Sequence, residues 1–230
     1  MINEEDEPAV MRWWSILSLT LVVGFVVRLV TVWMFTGHPP VTAKGLRNQR
    51  PLKTLIVLGS GGHTAEILHI VEKMNFKNYS PRCYIAAVTD NHSLAKAKRL
   101  EEEKAGDDSK QCRYYRIYRS REVGQSYITS IGTTLFAMVH AFYLAFSIQP
   151  DLIICNGPGT CLPVCIAGLV LKVLGVRWVV MVYVESIARV RKLSLTGLLF
   201  YKLHLMDQFY VQWPKLQQNF PRAQYVGRLM

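Results

Sequence analysis

No CxxC pair and no histidine-flanked ligand spacing occurs among the five cysteines of this 230-residue chain (Cys83, Cys112, Cys155, Cys161, Cys165), so no metal site is expected. Their odd number, and the apolar stretches in or beside which three of them lie, fit free thiols in a reducing compartment. The dinucleotide fingerprint is missing, because Thr64 stands where its third glycine belongs, and no GK[ST] closes a Walker loop. An NAD enzyme or an NTPase is therefore disfavoured, and no cofactor is expected. Acidic residues are few, 16 against 27 lysines and arginines, for a formal net charge of +11. Such a surface attracts nucleic acid, anionic lipid or a phosphorylated substrate through the same long-range field. The basic residues scatter over loops and no nucleic-acid module is present, which speaks against nucleic acid. The chain has no internal repeat and is too short for two full α/β domains.

What is present begins with "WWSILSLTLVVGFVVRLVTVWMF", residues 13 to 35, long enough to cross about 30 Å of hydrocarbon, with Trp13, Trp14 and Trp33 at interfacial depths. Arg28 is its one charge and costs about 2.5 to 3.5 kcal/mol near a helix centre, less when it snorkels. A cleaved signal peptide does not fit, because the leading residues 1 to 12 are acidic. Glu4, Glu5, Asp6 and Glu7 precede the span, whereas Lys44, Arg47, Arg50 and Lys53 follow it in and beside a basic linker, 36 to 52. The positive flank puts residues 53 to 230 on the cytosolic side, in agreement with the unpaired cysteines.

From residue 53, strand and helix signals alternate. Strands are expected near 53–58, 82–89, 112–118, 151–155, 177–184 and 208–212, and helices near 63–76, 92–104, 126–148, 160–174 and 194–206. This order predicts an α/β fold, a single Rossmann-like, doubly wound parallel sheet, with its binding site on the edge where the strands end. Residues 101 to 111 read as a solvated turn. Residues 131 to 148 carry no formal charge, yet a second span there would put three strands on each side of the membrane and forbid one sheet. They are expected to form a buried helix or, given Phe136, Phe142, Tyr143 and Phe146, a helix in the membrane interface.

The strand ends carry the chemistry. Gly59, Ser60, Gly61 and Gly62 lead into His63 and Thr64; Arg119, Arg121 and Glu122 follow the third strand. Asn156, Gly157, Gly159 and Thr160 follow the fourth, and Glu185, Ser186, Arg189 and Arg191 the fifth. Two glycine turns at helix starts plus arginines suit a diphosphate, although such turns also occur in doubly wound folds for steric reasons alone. His63 fits three roles: a cap or packing group, a donor to phosphate, or a base toward a sugar hydroxyl. Glu185 is either a base or an i, i+4 partner of Arg189, and Asn156 either contacts ligand or closes a turn.

Taken in order, "LGSGGHTAEIL", "RSREVGQS", "NGPGTCLP", "VYVESIARV", "DQFYVQWP" and "YVGRL" resemble the family of membrane-anchored subunits of the dolichol-pathway N-acetylglucosamine transferase, asparagine-linked glycosylation protein fourteen. The first stretch is also similar to the glycine loop of the bacterial lipid-linked GlcNAc transferase of peptidoglycan synthesis, a two-domain GT-B enzyme. The resemblance implies the N-terminal, acceptor-binding half of a split GT-B glycosyltransferase, whose other half is a separate soluble UDP-GlcNAc-binding subunit. It implies inverting transfer of the second GlcNAc to GlcNAc-diphosphodolichol on the endoplasmic reticulum membrane, continuous with the nuclear envelope, and no activity for this chain alone. On this reading Gly59 to Thr64, Arg119, Arg121 and Asn156 to Thr160 grip the acceptor diphosphate and first sugar. His63 and Glu185 are the candidate bases, and Tyr225, Val226 and Leu229 belong to the partner interface. A stand-alone membrane enzyme acting on a phosphorylated lipid, and a pure docking scaffold, are the alternatives.

Overall fold

The computed structural model describes residues 7–37, 50–106, 111–119, 130–157 and 159–229. Helix α1 (Glu7–Phe35) precedes β1 (Thr54–Val57), α2 (Gly62–Glu72), β2 (Arg82–Ala87), α3 (Ser93–Ala105), β3 (Arg113–Ile117) and α4 (Ser130–Ile148). Then come β4 (Leu152–Asn156), α5 (Cys161–Val173), β5 (Val180–Val184), α6 (Leu195–Lys202), β6 (Gln208–Tyr210) and α7 (Pro214–Asn219). The six strands form one parallel sheet in the order β3-β2-β1-β4-β5-β6. All six expected strands are present, each within a few residues of its expected limits. The short α7 was not expected, and residues 101 to 105, read from the sequence as part of a solvated turn, instead continue α3 and bury Glu101. Residues 1–6 of the acidic tail, residues 38–49 of the linker, Arg121 and Glu122 lie outside the described residues.

Strand side chains alternate between two cores, as a two-sided sheet requires. Leu55 and Val57 of β1 with Ile153 and Cys155 of β4 face α4, α5, α6 and α7, whereas Ile56, Leu58 and Ile154 face the side of α2 and α3. Beyond α2 the second face stays open over β4 to β6, where Ile154, Val180, Val182, Tyr210 and Leu229 line a groove of about 360 Å³. Helix α4 has two unlike faces. Ala137, Ala141, Leu144 and Ala145 are buried against the core, with Phe142 packed beside them, while Leu135, Phe136, Val139, Tyr143 and Phe146 are exposed.

Two ion pairs are built into the interior. The Arg82 guanidinium donates to both oxygens of Glu101, Nε to Oε1 at 2.6 Å and Nη2 to Oε2 at 2.8 Å, and Nη1 reaches the carbonyls of Phe76 and Tyr79. Tyr84 OH donates to the same carboxylate, and burial, then the neighbouring Glu101 charge, raises its pKa far above the usual value. Lys172 Nζ meets Asp207 Oδ2 at 2.5 Å, an oxygen that also accepts from the Met181 amide, and burial lowers the lysine's pKa despite that partner.

Helix α1 is long and apolar enough to cross a bilayer. Residues 11 to 27 are exposed throughout, about 25 Å of helix, and then α1 meets the domain. Arg28 donates through Nη2 to the Lys172 carbonyl at 2.6 Å and through Nε to that of Val173 at 3.3 Å, at the C-terminal end of α5. Those last carbonyls carry the negative dipole end of the helix, and that of Lys172, which also accepts from the Gly175 amide at 3.1 Å, has a second lone pair for the guanidinium. Trp178 lies under the same guanidinium at 5.7 Å, Phe35 packs edge-on against Trp178, and Val32 is buried. Thr36, assigned to the linker by sequence, is likewise buried. Arg28→Leu should leave the sheet intact but loosen this junction, read as faster amide hydrogen exchange over residues 28 to 37 with exchange in the sheet unchanged.

Candidate functional site at the sheet switch point

In this strand order, neighbouring β1 and β4 send their chains to opposite faces of the sheet, which opens a crevice at their C-terminal ends. Gly59 follows β1, and its carbonyl accepts from Thr64 Oγ1 and, at 2.9 Å, from Ser93 Oγ. Thr64 is buried, so its hydroxyl closes the loop and does not face the crevice. Gly61 sits at φ +62°, ψ −119°, a conformation open to glycine, and no side chain caps α2. The start of α2 thus lacks a side-chain cap, as does α5, entered through Gly159 and Thr160, and uncapped helix starts are places where an anion can be received.

His63 stands between these two helix starts. Its Nδ1 is 2.8 Å from Oδ1 of buried Asn156, and because a carboxamide oxygen only accepts, the imidazole must carry its hydrogen on Nδ1. Nε2 makes no hydrogen bond among the described residues, and in the neutral ring it keeps its lone pair. Glu66, one helical turn on, brings Oε2 to 3.4 Å from the same Nδ1, and its Oε1 accepts from Ser186 Oγ at 2.9 Å. Gly157, at φ +62°, lies flat against the ring: a Cβ there would come within 2.5 Å of His63 Cε1. Residues after β1 and β4 therefore meet on one imidazole, and the loop after β5 reaches it through Glu66.

Beside the crevice, with Ser60 and Gly61 as the shared wall, a cleft of about 710 Å³ runs over the ends of β2 and β3. Lys96, Arg99 and Arg119 give it three cations. Asp90 shapes it by accepting from the amides of His92 and Ser93 at the start of α3. Burial alone would push the Asp90 carboxyl up, but the hydrogen bonds from Ser93 and His92, together with the Arg119 charge, hold it below its usual value.

Glu185 stands apart. It is fully buried, with Oε1 accepting from the Ser186 amide at 3.1 Å and Tyr183 OH at 3.3 Å, and Oε2 accepting from the Ser194 amide at 2.9 Å and Ser194 Oγ at 3.1 Å. These contacts fold the loop that starts α6 and replace the expected surface pairing with Arg189. Of the two carboxyl or imidazole groups expected to act as bases, only His63 reaches solvent, its side chain 35% exposed. At the other end of the chain, Leu229 lines the open groove and its amide donates to Gln212 Oε1 at 2.8 Å, whereas Val226 is exposed and Tyr225 packs on the core. Glu66, Lys96 and Arg99 were not singled out from the sequence, although Glu66 stands at i+3 from His63, a spacing that puts both on one helix face.

The comparisons with known proteins agree with this architecture. Residues 54–229 match the family model described as "Oligosaccharide biosynthesis protein Alg14 like". A rat protein named "UDP-N-acetylglucosamine transferase subunit ALG14" is 46% identical over 209 residues, covering 89% of this chain and 93% of that protein. The human protein of the same name is 42% identical, over 88% of this chain and 92% of its own length. Among solved structures, MurG of Acinetobacter baumannii superposes with a TM-score of 0.50 at 15% identity, covering 76% of this chain and 44% of MurG. That likeness is one of fold, and it spans less than half of the bacterial chain. With one doubly wound sheet, an apolar helix before it and a family match over nearly the whole domain, the chain belongs to the Alg14 family of oligosaccharide biosynthesis proteins.

Proposed function

We propose that this chain is the acceptor-binding, membrane-anchoring half of a two-part UDP-GlcNAc transferase that adds the second GlcNAc to GlcNAc-diphosphodolichol on the cytosolic face of the endoplasmic reticulum. The observation that carries the reading is the His63–Asn156 contact at the switch point, set beside a cleft with three cations. The uncapped starts of α2 and α5 with Lys96, Arg99 and Arg119 suit the diphosphate, amides and guanidiniums sharing its charge. His63 Nε2 takes the proton of the attacking sugar hydroxyl while Nδ1–H stays on Asn156, which fixes the tautomer. Glu185, closed off inside its loop, is not the base.

A soluble partner carries UDP-GlcNAc, since this fold corresponds to one of the two units of a GT-B enzyme. The open face of β4 to β6 is its docking surface. The groove is apolar, and Leu229, whose amide is tied to buried Gln212, lines it near the end of the chain. Removing residues 225 to 230 should abolish co-purification of the soluble subunit while leaving the membrane-bound chain folded; undiminished co-purification would place the interface elsewhere.

The decisive experiment measures transfer of labelled GlcNAc from UDP-GlcNAc to a dolichyl or phytanyl diphosphate-GlcNAc acceptor, by this chain alone and with the soluble subunit. Activity only with both is expected. Activity from this chain alone would make it a complete enzyme and end the split reading. Full activity after charge removal at Lys96, Arg99 and Arg119 together would reduce it to a scaffold.

A further inference from the structure

One oxygen in the crevice has no hydrogen-bond partner among the described residues: Oε2 of Glu66, which is shut away from water. Its sister Oε1 is held by Ser186 Oγ at 2.9 Å, and that serine accepts from the Ala188 amide, so the carboxylate is fixed from the β5 loop. Oε2 points toward His63 Nδ1, 3.4 Å away, but that N–H is already directed at Asn156 Oδ1 at 2.8 Å. A buried carboxylate without a full partner is unfavourable while the imidazole is neutral. It becomes well placed once the imidazole is charged. The arrangement is thus complementary to a state that exists only while an extra proton rests on His63, the condition for stabilising a transition state over the ground state.

We propose that Glu66 is a positioning residue for His63, opposing the imidazolium charge that develops as the acceptor is activated. The proposal rests on the reading of His63 as the base. In the step, the acceptor O–H bond breaks and its proton goes to Nε2. The freed electron pair forms the bond to the donor's anomeric carbon, whose bond to the diphosphate oxygen breaks, and that pair leaves on UDP. The proton then departs from Nε2 to solvent. Glu66 stays ionised throughout and touches neither substrate, while Asn156 holds the ring in register.

The test uses the full-length chain in membranes with its soluble subunit, comparing Glu66→Gln, Glu66→Asp, His63→Ala and the double variant Glu66→Gln/His63→Ala. Glu66→Gln keeps the shape and the Ser186 contact but removes the charge, and should lower kcat by on the order of 10² with an unchanged KM for acceptor. Glu66→Asp should restore part of that loss. In the His63→Ala background the glutamine should cost nothing more, because its effect passes through the imidazole. An equal further loss in that background, or a raised KM with kcat intact, would make Glu66 merely structural and overturn the inference. Full activity of Glu66→Gln beside an inactive His63→Ala would overturn it while leaving His63 as base. Full activity of His63→Ala would remove the base assignment and the inference with it.

Discussion

Gly157→Ala should lower transfer by the assembled complex about a hundredfold while the domain stays folded. The new Cβ would lie 2.5 Å from His63 Cε1 and 2.9 Å from Nδ1, closer than any real Cβ contact. One of them must move. The glycine is fixed between β4 and the start of α5, whereas the imidazole is a partly exposed side chain, so the ring yields and leaves Asn156. A displacement of about 1 Å at a reacting group costs on the order of 10² in rate. The left-handed φ adds about 1–2 kcal/mol of backbone strain, and Gly106 provides the control: at φ +54° with nothing within 4 Å, its alanine variant meets the strain without the collision. Thermal unfolding and kcat of both variants separate the two effects. If Gly157→Ala transfers normally, the imidazole's seat is not what the reaction needs.

The largest effect on stability should come from Glu101→Gln. Breaking a buried ion pair costs about 3–5 kcal/mol because the remaining charge is stranded. Arg82 and Glu101 are both buried. Burial by itself lowers the arginine's pKa, and the Glu101 hydrogen bond and charge reverse this to a net rise, so the pair depends on its carboxylate. A domain's whole stability is about 5–15 kcal/mol, so the single variant should lose a large fraction of it, read as a lower midpoint of denaturant unfolding. Replacing both, Arg82→Met with Glu101→Leu, should recover much of the loss, short of what Tyr84 OH forfeits as its acceptor disappears. A double variant no better than the single would show that the interior needs the charges themselves.

The sheet was legible because its strands are apolar runs of the right length between glycine and proline signals, and because local patterning suffices to place such elements. The glycine loops were legible for the same reason. What escaped depends on contacts between distant residues. His63 and Asn156 are 93 positions apart, and their separate roles looked ambiguous until the fold set them 2.8 Å apart. Glu185, read beside Arg189, suggested a surface pair, yet its partners Tyr183 and Ser194 bury it. Arg28 looked like a cost because its partners are backbone carbonyls 144 and 145 positions away, groups that every residue carries. In α4 both faces are apolar, so periodicity was silent; side-chain size distinguishes them in the main, alanines inside and Phe136, Tyr143 and Phe146 outside, with Phe142 the aromatic that packs inward. Helix α7, at six residues, is too short for any periodic signal.

The Arg28 contact also sets a distance. Helices of a doubly wound sheet run antiparallel to its strands, so the C-terminal end of α5 lies at the edge where strands begin, while His63 lies at the edge where they finish. Five strand residues separate those edges by about 17 Å. Because the anchor grips one edge and does not merely trail from a linker, the two ends of the domain are joined as by a rigid spacer. Under the proposed function, a lipid-borne sugar would then be admitted by how far its headgroup extends as well as by what it is.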